Sequence, residues 1–381
     1  MYMKTKITSF VNSTRVLVAI SVFFLASCSK SINQPEEQSN DVYFSEEYVQ
    51  RQGAQVDKDV DLRLKEQAEQ LGLNTLESKN NNQNIVQIAV SNPNFSALVA
   101  AVVKTGLAGA LSNESANLTV FAPVNSAFAQ LPAPFNNAAN ISSITDQAEI
   151  SFLRNVLLYH VLASKVKSQQ ISRDPSSAVT LKPAGTRNDN TIYLSKFQNL
   201  VRVNGRTDVI AANINATNGI IHAIDKVLMS PSKTIAEIAI ADPNFSALVA
   251  ALVKTNLAGV FSGNGDFTVF APTNAAFAKL PAPFNSAASI NGITNTAQID
   301  ALANILKYHV VANQRNFNWD FDVLRRISTL AAGTNNKLTT VIGFNTGFVK
   351  GNNNPGFSQV NPGDILATNG VIHVIPNVLL P

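Results

Sequence analysis

Residues 92–109 read NPNFSALVAAVVKTGLAG, and residues 242–259 read DPNFSALVAALVKTNLAG. Fifteen of these eighteen positions are identical. A second pair follows: TVFAPVNSAFAQLPAPFN from Thr119 and TVFAPTNAAFAKLPAPFN from Thr268, again fifteen of eighteen. LLYHV (157–161) returns as LKYHV (306–310), and ATNGIIH (216–222) returns as ATNGVIH (367–373). The offset stays between 149 and 151 residues, the length of a domain rather than of a solenoid unit. The chain therefore holds two copies of one domain, 84–230 and 231–381, joined by the short SPSKT (230–234).

Each copy mixes the two hydrophobic periods. Phe95, Leu98, Val99 and Val102 fall at helical spacing, after an Asn92-Pro or Asp242-Pro that suits a helix start. LTVFAP reads as a short buried strand ended by proline. Ile150, Leu153, Val156 and Leu157 line one face of an amphipathic helix, which Ile299, Leu302, Ile305 and Leu306 repeat. The middle of each copy alternates strands with Asn/Gly turns. GIIHAI is apolar on both alternations, as for a strand buried on both faces. No regular βαβ unit recurs, so the predicted class is α+β with a mostly antiparallel sheet flanked by helices.

The formal charge of +4 is uneven: +3 over residues 1–27, −5 over 28–82 and +6 over the remainder. That last excess has no Lys/Arg run longer than Arg325-Arg326, a pattern that does not suit nucleic acid. Lys4, Lys6 and Arg15 precede the apolar run VLVAISVFFLAS, short for a bilayer span and suited to a signal h-region. It ends at Leu25-Ala26-Ser27-Cys28, which resembles a bacterial lipobox and holds the only cysteine of the chain. The expectation is a lipoprotein signal peptide over 1–27, cleaved before a lipidated Cys28. Ser29 at the next position points to outer-membrane retention, with a surface-facing protein favoured. Several acyl chains at about 0.8 kcal/mol per buried CH₂ anchor stably. Residues 28–83 read as an acidic tether, partly helical or disordered, with Val56, Val60, Leu62, Leu64, Ala68 and Leu71 only partly on one helix face.

TVFAPTNAAF, the Tyr-His pair and NGVIHVIPNVLLP, in this order and in both copies, make the chain resemble the fasciclin (FAS1) family. The resemblance covers about 300 residues. It implies a β-wedge or sandwich flanked by several helices, and a non-enzymatic role in extracellular adhesion to protein, matrix or glycan. In animal matrix members, the Tyr-His pair with its aliphatic flanks and an Asp-Ile pair are implicated in integrin binding. Carried over, these are Leu157, Tyr159, His160 and Leu162, then Ile305, Tyr308, His309 and Val311, with Asp364-Ile365 in the second copy. The first copy departs with Asn213-Ile214 at the last position, and with Val124 where the second has Thr273. The lipobox makes a bacterial protein the expectation, so integrin itself is not the expected partner.

All four histidines, His160, His222, His309 and His373, sit in the repeated motifs. His222 and His373 on doubly apolar strands read as core residues with bonded nitrogens, since an unbonded buried polar group costs about 1–3 kcal/mol. Asn125 and Asn274 read likewise as buried turn amides. No carboxylate–histidine cluster repeats, and G-x-S-x-G, H-E-x-x-H and phosphate-loop motifs do not occur. No catalytic residue, metal site or cofactor is therefore expected. The alternative to a protein or matrix partner is a glycan or small ligand of an outer-membrane uptake assembly. Its candidate site is the aromatic cluster Phe317, Trp319 and Phe321, because sugar sites favour aromatic platforms.

Overall fold

The computed structural model describes residues 43–73, 82–197, 200–263, 265–321, 324–343 and 346–381. The expected signal peptide, Cys28 and the tether residues 28–42 and 74–81 lie outside the described residues. The described residues form one compact unit.

Each copy opens on two helices meeting at a sharp bend, α2 (Ile85–Ser91) and α3 (Ser96–Lys104) in the first domain. Asn84 starts α2 with a capping box: its side chain accepts from the Gln87 N–H, and the Gln87 side chain accepts from the Asn84 N–H. In α3, Ala97, Leu98, Ala101 and Val102 form the buried stripe that helical spacing requires. After strand β1 (Leu118–Pro123), α4 (Gln147–Leu158) buries Leu153, Val156 and Leu157 and delivers Tyr159-His160 into the core. The remaining strands are β2 (Val161–Leu162), β3 (Ser176–Val179), β4 (Thr191–Phe197), β5 (Leu200–Val203), β6 (Thr207–Ala216) and β7 (Gly219–Ile224). They form a seven-stranded sheet in the order β2-β1-β7-β6-β5-β4-β3. Every pair is antiparallel except β1 with β7, where Phe121 lies opposite His222. Strand β7 is buried at every position, as its unbroken apolar run predicts.

The second domain repeats the opening with α5 (Ile235–Ala241), α6 (Ser246–Lys254), β8 (Phe267–Pro272) and α7 (Thr296–Tyr308). Then come β9 (Val310–Ala312), β10 (Arg325–Ser328), β11 (Lys337–Gly343), β12 (Thr346–Lys350), β13 (Ser358–Val360), β14 (Ile365–Ala367) and β15 (Gly370–Ile375). They divide into two four-stranded sheets, β14-β15-β8-β9 and β10-β11-β12-β13. The two are stitched where Asn361 N–H donates to Val374 O and Val374 N–H donates to Pro362 O, both at 2.9 Å. Here too one pair is parallel, β15 with β8. The architecture is the expected mixed α+β class.

The expectation that the tether is partly helical holds here, and what is corrected is its free, solvated character from residue 43 onward. Glu46–Gln70 is a 25-residue helix, α1, capped by Ser45. Val49, Val60, Leu64 and Ala68 are buried. Their spacing of eleven, four and four residues is three turns and then one turn each, so they share a stripe. Leu62, grouped with them on sequence, points outward and is 57% exposed. The helix straddles both domains. Val49 packs with Val341, Phe348 and Phe357 of the second, and Arg63 pairs with Asp208 of the first at 2.7 Å.

Candidate functional site

The Tyr-His motif works inward. His160 Nδ1–H donates to Val156 O (2.7 Å), and Nε2 accepts the Leu228 N–H (2.8 Å). His309 repeats this with Ile305 O (2.8 Å) and the Leu379 N–H (2.8 Å). One nitrogen faces a carbonyl and must carry the proton. The other faces an N–H and must not. Each ring is therefore a fixed neutral tautomer, and burial pushes both pKa values down from 6.5 to about 4. Tyr159 Oη donates to Thr191 O and Tyr308 Oη to Lys337 O, at 2.7 and 2.6 Å, tying each helix end to its sheet. Burial raises both phenol pKa values.

The closing strands use the opposite tautomer. His222 Nε2–H donates to Val166 O (2.9 Å) while Nδ1 accepts the Asn213 N–H (3.2 Å). His373 Nε2–H donates to Asn316 O (2.8 Å) while Nδ1 accepts the Asp364 N–H (3.3 Å). Each stacks on a phenylalanine of the parallel partner strand, Phe121 or Phe270, at 5.4 and 5.3 Å. Burial lowers both imidazole pKa values. The Asn213/Asp364 departure between the copies now has a physical reason. Both residues hold a left-handed backbone, φ 59° and 57°, so that their N–H meets the imidazole. Asn and Asp are the side chains that tolerate this region best after glycine.

Asn125 Oδ1 accepts from the Ala97 N–H (3.0 Å) and its Nδ2 donates to Pro93 O (2.9 Å). Asn274 makes the same bonds to Ala247 and Pro243, each at 2.9 Å. Thr273 caps the following turn through the Ala276 N–H, a bond that Val124 cannot make. Asn218 and Asn369 were not singled out on sequence, yet they are equally structural. Their Oδ1 atoms accept from the Ile85 and Ile235 N–H groups (3.0 and 2.9 Å) and so start the first helix of each domain. Their recurrence before glycine in ATNG was the available signal.

The expected partner-binding surface is therefore corrected. Leu157, Tyr159, His160, Leu162, Tyr308, His309 and Val311 are all buried. Ile305 and Ile365 are half-buried against the core of the second domain. Asp364 is also buried, with its Oδ1 accepting the Asn318 N–H at 2.7 Å. As folded, these residues offer a partner no contiguous face.

The aromatic platform is corrected too. Phe317, Trp319 and Phe321 are buried, the first two against the other domain. Phe317 meets Tyr193 at 5.9 Å, and Trp319 meets Phe197 edge-on at 5.7 Å. The Arg202 guanidinium lies 3.9 Å over the indole, and Arg315 lies 4.7 Å over Tyr193. Phe321 turns into its own domain against Phe270 and His373. Gly205, with φ +71°, lets the chains come this close: a Cβ there would lie 2.5 Å from Phe317 Cδ1.

What the domain junction does expose is a polar cleft of about 450 Å³. Its walls come from α1, from the β5–β6 hairpin and from the β12 and β13–β14 region. Asp208, buried, accepts from both Arg63 Nη2 (2.7 Å) and Arg202 Nε (2.5 Å). Nearby, burial raises the carboxyl pKa of Asp320 to about 8 and also lifts that of Asp364. Arg63 lies 145 residues from Asp208, so this cluster had no signature in the sequence.

Residues 93–230 and 243–381 match the family model of the fasciclin domain, more than half of the chain. The chain belongs to the fasciclin family, as two tandem domains. Transforming growth factor-beta-induced protein ig-h3 of Sus scrofa is 28% identical over 265 residues, spanning 70% of this chain and 35% of that protein. The chain thus spans about a third of the length of the first animal relatives it matches. Uncharacterized protein sll1735 of Synechocystis sp. is 42% identical over 147 residues, 38% of this chain and 96% of that protein. A solved structure described as "Novel Fold Revealed by the Structure of a FAS1 Domain Pair from the Insect Cell Adhesion Molecule Fasciclin I" is 20% identical, covering 74% of this chain and 95% of that one with a TM-score of 0.35.

Proposed function

We propose that this chain is a membrane-anchored extracellular binding protein, held at the outer membrane by lipid on Cys28 and facing the cell surface. Its two fasciclin domains engage a protein or matrix partner, and it performs no catalysis. The observation that carries this reading is the tandem fasciclin pair. The four imidazoles support binding over acid–base chemistry, because both ring nitrogens of each are already bonded inside the fold. The lipobox-like Leu25-Ala26-Ser27-Cys28 supports the anchor. Burial of the Tyr-His motifs moves the expected contact surface to exposed loops and to the domain junction. Membrane-impermeant labelling of intact cells tests the reading. The native chain should be labelled and should sediment with outer membrane, and Cys28→Ala should be released or lost from the surface. Equal labelling and equal sedimentation of both would refute the anchor.

A further inference from the structure

The cleft between the domains carries four cations on its walls, Arg63, Arg202, Arg206 and Lys226, against two carboxylates, Asp208 and Asp364. The carboxylates do not answer them one for one. Asp208 is shared by two guanidinium groups. Asp364 is buried and bonded to the Asn318 N–H. Lys226 reaches Asp225, outside the cleft lining, at 2.6 Å. Arg206 is exposed and takes no hydrogen bond or close ion pair among the described residues, its charge acting only at longer range on buried Asp364, and it stands on the left-handed Asn204-Gly205 turn (φ 51° and 71°) at the rim. A second hollow of about 420 Å³ shares Arg206, Lys226 and Asp364, so this rim divides two adjoining chambers along the junction.

The rest of the lining is amide and hydroxyl. Asn318, Gln359, Asn361 and Thr346 supply donors and acceptors without charge. The Oδ1 of Asn318 has no hydrogen-bond partner among the described residues, but it is fully buried beneath the lining rather than open to the cleft. Volumes of 420 and 450 Å³ lie within the range of small-ligand sites. Guanidinium groups select planar or tetrahedral anions, and amides select hydroxyls.

From this juxtaposition we infer that the junction of the two domains binds an acidic saccharide, a chain of hydroxylated rings bearing carboxylate or sulfate, with Arg206 as the contact that reads the negative charge. The sugar lies along the two chambers. Its hydroxyls meet the amides of the second domain, and its acid group meets Arg206 of the first. This site is distinct from the buried aromatic cluster. It goes beyond the adhesion reading and does not depend on where the chain is anchored.

Calorimetric titration of the full-length chain in detergent tests it, with trigalacturonic acid, maltotriose and sodium sulfate as probes. The acidic trisaccharide should bind with a Kd below about 1 mM, weaken as salt is added, and outcompete both the neutral trisaccharide and bare sulfate. Arg206→Ala, an exposed change, should keep the melting temperature and weaken binding by about 10- to 100-fold, the worth of a charge-assisted hydrogen bond. No binding of the acidic probe, equal binding of maltotriose, sulfate binding as tightly as the sugar, or an unchanged Kd in Arg206→Ala would each overturn the inference.

Discussion

Replacing His309 by glutamine should make the second domain less stable at neutral pH and, at the same time, less sensitive to acid. Glutamine can still accept from the Leu379 N–H but leaves the Ile305 carbonyl without its donor. Losing a partner of a buried polar group costs about 1–3 kcal/mol at pH 7.5. The pH dependence carries the sharper claim. The imidazole titrates near 6.5 when unfolded and near 4 when folded, because burial opposes its charge. Its contribution is therefore present above pH 6.5 and lost as pH falls toward 4. With those two values the lost stability is RT ln[(1 + 10^1.5)/(1 + 10^−1)], about 2 kcal/mol at pH 5 and close to zero at pH 7.5. Asp320 titrates in the opposite sense, its carboxyl raised to about 8. It is common to both proteins and cancels in the difference. Urea unfolding at the two pH values, followed by circular dichroism and by the fluorescence of Trp319, the sole tryptophan, measures this directly. The stability gap between native protein and variant should narrow by about 2 kcal/mol from pH 7.5 to pH 5. A gap that stays constant within 0.5 kcal/mol, on the order of the error of such a difference, would mean that the ring is not held neutral.

Two further perturbations address the junction. Asp320→Asn should flatten another part of the pH profile: the native carboxyl is neutral when folded and titrates near 3.8 when unfolded, so stability falls as pH rises toward 8. Between pH 5 and pH 7 the native protein should lose about 3 kcal/mol that the variant keeps, as read from paired urea titrations. Trp319→Ala should cost about 3–5 kcal/mol, the usual loss for an emptied tryptophan site, and should strip Arg202 of its aromatic face. Differential scanning calorimetry should then show one transition dividing into two; a single unshifted peak would sink the assignment of Trp319 as the link between domains.

The repeat and the mixed helix-strand pattern were legible because both are local. Fifteen matches in eighteen positions need no third dimension, and the Leu153, Val156, Leu157 stripe follows from helical spacing. The parallel pairing of β1 with β7 was not legible, because a strand's apolar run says that it is buried and not which neighbour it lies beside. The Tyr-His pair was misplaced for a related reason. A tyrosine and a histidine at a helix end are chemically suited either to a partner or to the protein's own carbonyls. Only the positions of Thr191 and Leu228, 32 and 68 residues away in sequence, decide between them. The burial of the aromatic cluster and the packing of α1, though not its helicity, were missed together. Phe317 and Trp319 look exposed when the second domain is considered alone, and Val49, Val60, Leu64 and Ala68 look too sparse when no partner surface is known. Each set is completed by the other parts of the fold.

The route of α1 also sets how mechanical load enters the molecule. Phe44, just ahead of the helix, exchanges two 2.8 Å backbone hydrogen bonds with Phe357. Tension arriving from the N-terminal side therefore pulls first on the C-terminal domain, although the other domain is nearer along the chain. That two-bond bridge lies on the load path ahead of α1 and its Arg63–Asp208 clasp on the first domain. The clasp and the bridge thus form two latches in series across the domain junction, upstream of either sheet.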